Sequence, residues 1–313
     1  MAKFRRSHGV DKREKSSSVG KIIMLVIIAA SMIYLVFTYL GKSVASSQHG
    51  SKEEDFVYNI DVSGIDYIKP EERYYLPSST TNQIVHHKYY SLSYNEEYEI
   101  AEWVSYVLTK ESLRIPNVHR AKRFNPDLKV KSRSAIYYDY RGSGYSRGHL
   151  APAGDMAFNE AAMKESFLMG NITPQKRAFN GGIWNELEQN VRNWAWKDNK
   201  LFIATGPVIN NSITNFIGKN KVGVPNKFYK VILDIDDPER KAIGFVIPNK
   251  RSERPLQEYA ASIDSIEKLT GINFFKDLLS DEEENRLESN FNINKWKISK
   301  KLYKQRIQVW NKQ

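Results

Sequence analysis

The chain has 313 residues, of which 41% are apolar and 12% aromatic, enough to build one large or two modest cores, so a disordered chain is excluded. It contains no cysteine, which excludes disulfides, thiolate metal sites and a cysteine nucleophile, and leaves only oxygen or imidazole to hold a metal. The six histidines, at 8, 49, 86, 87, 119 and 149, form no i, i+4 pair, and the net charge of +11 suits a polyanionic partner without specifying one.

Residues 1–21 carry seven Lys or Arg against Asp11 and Glu14. The next nineteen residues, Ile22 to Leu40, contain no charge, and at helical rise they span about 28 Å, the thickness of a hydrocarbon core. The stretch after them, Gly41 to Gly50, carries only Lys42. The positive-inside bias therefore puts the N-terminus in the cytoplasm and the body across the membrane. A cleaved signal peptide, with Ser43-Val44-Ala45 as its small-residue site, is the competing reading, but both segments exceed ordinary signal-peptide lengths. Asp11 and Glu14 count against a mitochondrial presequence. Residues 41–80 are rich in Ser, Lys, Glu and Thr, lack a sustained apolar period and read as a polar tether.

Globular patterning begins near Ile84. Tyr89 to Tyr94 alternates as a strand, Ala101 to Leu108 reads as a strand or short helix, and Ser134 to Tyr140 reads as a further strand. Gly142 and Gly144 mark a turn; with Gly148 their spacing is not that of a dinucleotide-binding loop. Downstream, Asn180 to Lys197 is expected to be a helix, Leu201 to Ile209, Phe228 to Ile235 and Ala242 to Ile247 strands, and Leu256 to Thr270 a helix. The charged segment 281–313 has helical character without a definite place. Strands interleaved with helices, without an internal repeat, predict a mixed α/β or α+β domain.

Chemistry concentrates between Ser146 and Arg192. In the helix from Asn180, Trp184, Leu187, Val191 and Trp194 recur on one packing face. Asn180 and Glu188 are then turned about 80° apart and separated by about 12 Å along the axis. That geometry predicts a hydrated Mg²⁺ with one direct protein ligand, Asn180, and with Glu188 acting through a water. Arg192, four residues on, can orient Glu188 or reach a phosphate. His149, as a neutral imidazole, can take a proton from an attacking water, and Arg147 would project to the same side of its extended segment. Each has an ordinary reading alone: a core histidine, an N-cap asparagine, a surface ion pair.

Their joint order carries a resemblance. The run Tyr138 to Pro152, containing Ser146-Arg147-Gly148-His149, resembles the D-R-G-H region of the DNA/RNA non-specific endonucleases, the ββα-metal family. The similarity continues through Gly170 to Gln175, Asn180 to Glu188, Thr205-Gly206-Pro207, Val224 to Val231 and Ile263 to Phe275. It implies an α+β ββα-metal (His-Me finger) fold with a central mixed or antiparallel sheet flanked by helices. It also implies His149 as general base, Asn180 as the sole protein ligand of Mg²⁺ (Mn²⁺ or another divalent ion being the alternative), Glu188 holding a water, and Arg147 and Arg192 supporting phosphate. A further family arginine corresponds to Arg120 or Arg123, ahead of Phe124-Asn125-Pro126-Asp127, with Arg120 preferred. One departure stands out: Ser146 occupies the usual Asp position, removing a charge expected near His149.

The expectation is a membrane-anchored, Mg²⁺-dependent endonuclease cutting DNA and RNA to 5′-phosphate products with little base preference. It would comprise a basic segment (1–21), an anchor (22–40), a tether (41–80), a catalytic domain (81–290) and a charged tail (291–313). Its partners would be DNA, RNA and the membrane, with a homodimer allowed. The catalytic domain would face the bacterial periplasm, or the corresponding side of a mitochondrial inner membrane. A catalytically silent nucleic-acid-binding module and a small-nucleotide phosphodiesterase are the rival readings.

Overall fold

Alternating and continuous apolar runs specify the strands. The computed structural model describes residues 73–209, 213–236 and 238–312. The expected anchor and most of the tether lie outside them, and among the described residues no helix is long and apolar enough to cross a membrane. In chain order come β1 (Ile84–His86), β2 (Ser91–Asn95), β3 (Ile100–Thr109) and α1 (Lys110–Arg114), then β4 (Tyr145–His149), α2 (Glu160–Ser166) and β5 (Ile172–Lys176). A π-helical turn, Phe179–Trp184, runs into α3 (Asn185–Asp198). There follow β6 (Lys200–Pro207), β7 (Phe216–Ile217), β8 (Val222–Gly223), β9 (Lys227–Asp234), β10 (Lys241–Pro248), β11 (Ala260–Ala261), α4 (Ile263–Thr270), α5 (Asp281–Glu288) and α6 (Lys300–Gln308).

Seven strands form one sheet in the order β1-β2-β3-β6-β9-β10-β11, each pair antiparallel. The fold is thus mixed α+β around a central antiparallel sheet. Side chains alternate across it: Phe228 and Ile232 face a core with Trp184, Leu187, Val191 and Trp194 of the π turn and α3. Tyr229, Val231 and Leu233 face a second core with Ile263, Ile266 and Leu287 of α4 and α5. Because both faces are covered, the central strands read as continuous apolar runs rather than alternating ones. A separate two-stranded ribbon pairs β4 with β5, setting Arg147 opposite Pro174 and His149 opposite Ile172.

Several boundaries differ from the pattern reading. Ser134 to Tyr140 is not a strand: Arg133 and Ser134 have φ of 69° and 59°, and Tyr137–Tyr140 closes as a 3-10 turn in which the Asp139 carboxylate accepts from the Ile136 N–H at 2.8 Å. The expected helix Leu256 to Thr270 is split into a 3-10 turn, Leu256–Tyr259, the short strand β11 and then α4. Ser262 caps α4 and Gly271, at φ 74°, ends it. Ala101 to Leu108 is strand throughout.

Both segments placed outside the core by composition are packed on it where described. The buried Glu102 carboxylate accepts from the Thr80 N–H at 3.0 Å and from the Ser93 hydroxyl at 2.5 Å, holding the segment before β1, and β2, to β3. At the other end, the fully buried Arg306 guanidinium of α6 donates to Glu186 of α3 and to the carbonyls of Ser252 and Arg254. Removing one partner of such a buried pair strands the other. Arg306→Ala is therefore expected to destabilise the protein by about 3–5 kcal/mol, measured by chemical denaturation; a loss within error of zero would show that α6 is not a structural clamp.

Candidate active site

The β4–β5 ribbon followed by the π turn and α3 makes a strand-strand-helix unit on one face of the sheet. Buried Asn171 fixes its inner end: its side-chain oxygen accepts from Ala151 N–H at 2.8 Å, while its amide donates to the carbonyls of Ala151 and Ser166 at 3.0 and 2.8 Å. His149, the last residue of β4, is thereby held between aromatic rings, Phe167 edge-on at 4.7 Å and Phe124 at 5.6 Å. Its Nε2 is sealed among protein atoms without a hydrogen-bond partner. Burial, helped by the nearby Arg120 guanidinium, lowers the imidazole pKa to about 3. The ring is neutral at any working pH, the form that can accept a proton.

Arg147 shares the histidine's side of the ribbon. Its guanidinium lies 5.0 Å from the Phe124 ring and 4.5 Å from Tyr137, and its Nε is buried without a partner. Ser146 is on the other side of the strand, opposite Gln175, so the charge absent at position 146 is not removed from the His149 face, contrary to the expectation from sequence adjacency. On that far side the Gln175 amide lies over Gly148, where an added Cβ would fall 2.1 Å from it, so only glycine fits. Of the two candidate arginines, Arg120 stacks at 5.1 Å on Phe167 and acts electrostatically on both His149 and Glu188. Arg123 is exposed and makes no comparable contact among the described residues.

Asn180 lies in the π turn rather than in a regular α-helix. The eighty-degree offset to Glu188 therefore does not apply: Gly182, at φ −102° and ψ −112°, breaks the helical geometry between them. The half-buried Asn180 amide makes no hydrogen bond within the described residues. Asn311, just after α6, braces the turn; a Cβ on Gly182 would come 2.9 Å from its side-chain oxygen, while its amide donates to the Ser252 carbonyl at 2.8 Å.

Glu188 and Arg192 do not form the anticipated i, i+4 ion pair. Arg192 instead donates to the buried Asp155 carboxylate at 2.7 Å, whose other oxygen accepts from Tyr106 Oη at 2.7 Å. Gly154 leaves room for that guanidinium. Burial raises the Glu188 pKa to about 7, against the opposing pull of Arg192, Lys230 and Arg120. Lys230, absent from the sequence-derived site, is a fully buried lysine of β9 whose Nζ lies 5.1 Å over the Trp184 indole and has no hydrogen-bond partner. Burial lowers its pKa despite Glu188 and Asp155 nearby. The signal was present: Lys230 sits between Phe228 and Ile232 at core-facing positions of an apolar strand.

The structure thus brings Arg147, His149 and Arg120 together around Phe124 and Phe167, and gathers Glu188, Arg192, Asp155 and Lys230 behind the π turn bearing Asn180. The arrangement offers a neutral imidazole, an unpaired amide oxygen and a carboxylate among cations, the donors of a hydrated, oxygen-bound divalent ion.

The chain is similar to several known proteins. The family model described as DNA/RNA non-specific endonuclease matches residues 70–281. The chain is 36% identical over 199 residues to the mitochondrial nuclease EXOG of Danio rerio, covering 59% of this chain and 58% of that protein. It is 33% identical over 204 residues to human mitochondrial endonuclease G, with 61% and 69% covered. Nuclease C1 of Cunninghamella echinulata var. echinulata is 32% identical over 215 residues, with 64% and 85% covered. A chain in the crystal structure of the EndoG/EndoGI complex superposes with a TM-score of 0.57 at 31% identity, covering 63% of this chain and 86% of that one.

A protonated Glu188 cannot help hold a cation. Divalent-ion affinity, measured by calorimetry with Mn²⁺, is accordingly expected to fall by up to tenfold per pH unit below about 7. Glu188→Gln should flatten that dependence; an unchanged slope in the variant would exclude Glu188 as its source.

Proposed function

Because this chain belongs to the DNA/RNA non-specific endonuclease family, we propose that it is a divalent-metal-dependent endonuclease that hydrolyses DNA and RNA without base preference, leaving 5′-phosphates. The observation that carries this reading is the neutral, tightly caged His149 on the ribbon that leads into the π turn of Asn180. With Nε2 sealed in, Nδ1 is the nitrogen left to take a proton from the attacking water, and the tautomer required keeps its hydrogen on Nε2.

The residues present fit a hydrated Mg²⁺ or Mn²⁺. The amide oxygen of Asn180 would hold it directly and Glu188 would reach it through a water, the donors being hard oxygens with one free of internal hydrogen bonds. When bound, the ion would supply positive charge beside the scissile phosphate, where negative charge grows in the transition state. Arg120 and Arg147 would contact phosphate oxygens, reading the backbone and not the bases. Arg192 and Lys230 favour the ionised form of Glu188.

The relatives are longer than the matched stretch, and the remainder of this chain carries its own proposal. We read Ile22–Leu40 as a single-pass anchor that places the catalytic domain across the membrane from the basic N-terminus. A bacterial inner membrane and a mitochondrial inner membrane both fit that orientation, and the relatives named as mitochondrial add support to the second.

Nicking of supercoiled DNA by the full chain should require Mg²⁺ or Mn²⁺ and stop on chelation. His149→Ala should lower the rate about 10²–10⁴-fold, and Asn180→Ala should raise the metal concentration needed. Cleavage that survives either the histidine substitution or complete removal of divalent ions would overturn the assignment.

A further inference from the structure

On the face of the sheet opposite α3, helices α4 and α5 bring three carboxylates together. Asp264 and Glu267, three residues apart on α4, and Glu288, the last residue of α5, each offer an oxygen within 4.8 Å of the other two. Acidic side chains on a surface often cluster without purpose, but Glu288 is not on the surface. It is 1% exposed, its Oε1 is sealed from solvent and has no hydrogen-bond partner, and it points into the group formed by the other two. An unpaired buried carboxylate is costly and calls for a counter-charge or a proton. Among the described residues no basic side chain answers it: the charges acting on Glu288 are Glu267, Glu284 and Asp264, all acidic. Those acting on Glu267 are likewise Asp264 and Glu284. Glu267 has one oxygen engaged by the Phe274 N–H at 2.7 Å, leaving the other to contribute.

We propose that Asp264, Glu267 and Glu288 form a binding site for a hard divalent cation of the calcium type, structural in role and distinct from the ion expected at Asn180. Oxygens that share one calcium at 2.3–2.6 Å lie at most about 5 Å apart, which the observed spacing satisfies, and water completes the six to eight ligands such an ion takes. The ion ties the last turn of α5 to the first two turns of α4, both of which pack on the second core through Ile263, Ile266 and Leu287. Its binding therefore stabilises the fold and leaves the chemistry at His149 untouched.

The test uses the full chain carrying Asn180→Ala, so that binding at the Asn180 site is weakened, and reads the melting temperature with and without CaCl₂. About 10 mM CaCl₂ is expected to raise Tm by about 5 °C. Glu288→Gln in the same background should melt no lower than its parent without calcium, since a neutral amide relieves the repulsion, and should lose the calcium shift; Asp264→Asn should reduce it. Two outcomes overturn the proposal: a Glu288→Gln chain that retains the whole shift, which locates the calcium elsewhere, and a parent chain that ignores calcium while gaining stability on acidification, which means that the carboxylates share protons instead.

Discussion

Buried carboxylates that hold elements together are answered in place, and that constraint shapes the half of the molecule that carries His149 and Asn180. Asp155 is held by Tyr106 and Arg192, Glu186 by Arg306, and Glu102 by Thr80 and Ser93. Each of these carboxylates is bonded to a partner that fixes an element: the loop after β4, helix α6, the segment that leads into β1. Glu188 differs. It is surrounded by Arg192, Lys230 and Arg120 yet hydrogen-bonded to none of them among the described residues, so its oxygens stay available to a ligand. A carboxylate with cations near it but not bonded to it can gain an outside partner without first giving up an internal one.

The caging of His149 follows the same logic with the sign reversed. Aromatic walls and a neighbouring guanidinium both disfavour the imidazolium, so the resting site holds a base and not an acid. Phe124 and Phe167 do more than exclude water, because Arg147 and Arg120 lie against the same two rings. A weakly hydrated guanidinium on an aromatic surface keeps its outer edge free for phosphate. One pair of phenylalanines therefore sets the histidine's protonation and aims two arginines.

Much of this was legible in the chain. The strands predicted from apolar runs, Leu201 to Ile209, Phe228 to Ile235 and Ala242 to Ile247, are found within two residues of their expected ends at β6, β9 and β10, since runs buried on both faces leave no ambiguity of period. The histidine, the asparagine and the helix after it were found through motif order. Local pattern could not reveal what depends on distant partners. The ribbon strand β5 contains Pro174, which disguises it. The π turn packs Gly182 closely against Asn311 from far downstream. Arg192 bonds Asp155, a buried carboxylate distant in sequence, and not its helix neighbour Glu188. Lys230 lies inside the strand predicted over Phe228 to Ile235, and its electrostatic partner Glu188 is too distant in sequence for local pattern to reveal.

The contact between Gly182 and Asn311 also orders events during synthesis. The ribbon with its imidazole, the sheet and the helix that follows are all translated before the residue that props the turn beneath Asn180. A growing polypeptide can therefore assemble most of this architecture while the turn that bears Asn180 still lacks Asn311 beside it. The pairing of Arg306 with Glu186 likewise has to wait until α6 has been translated.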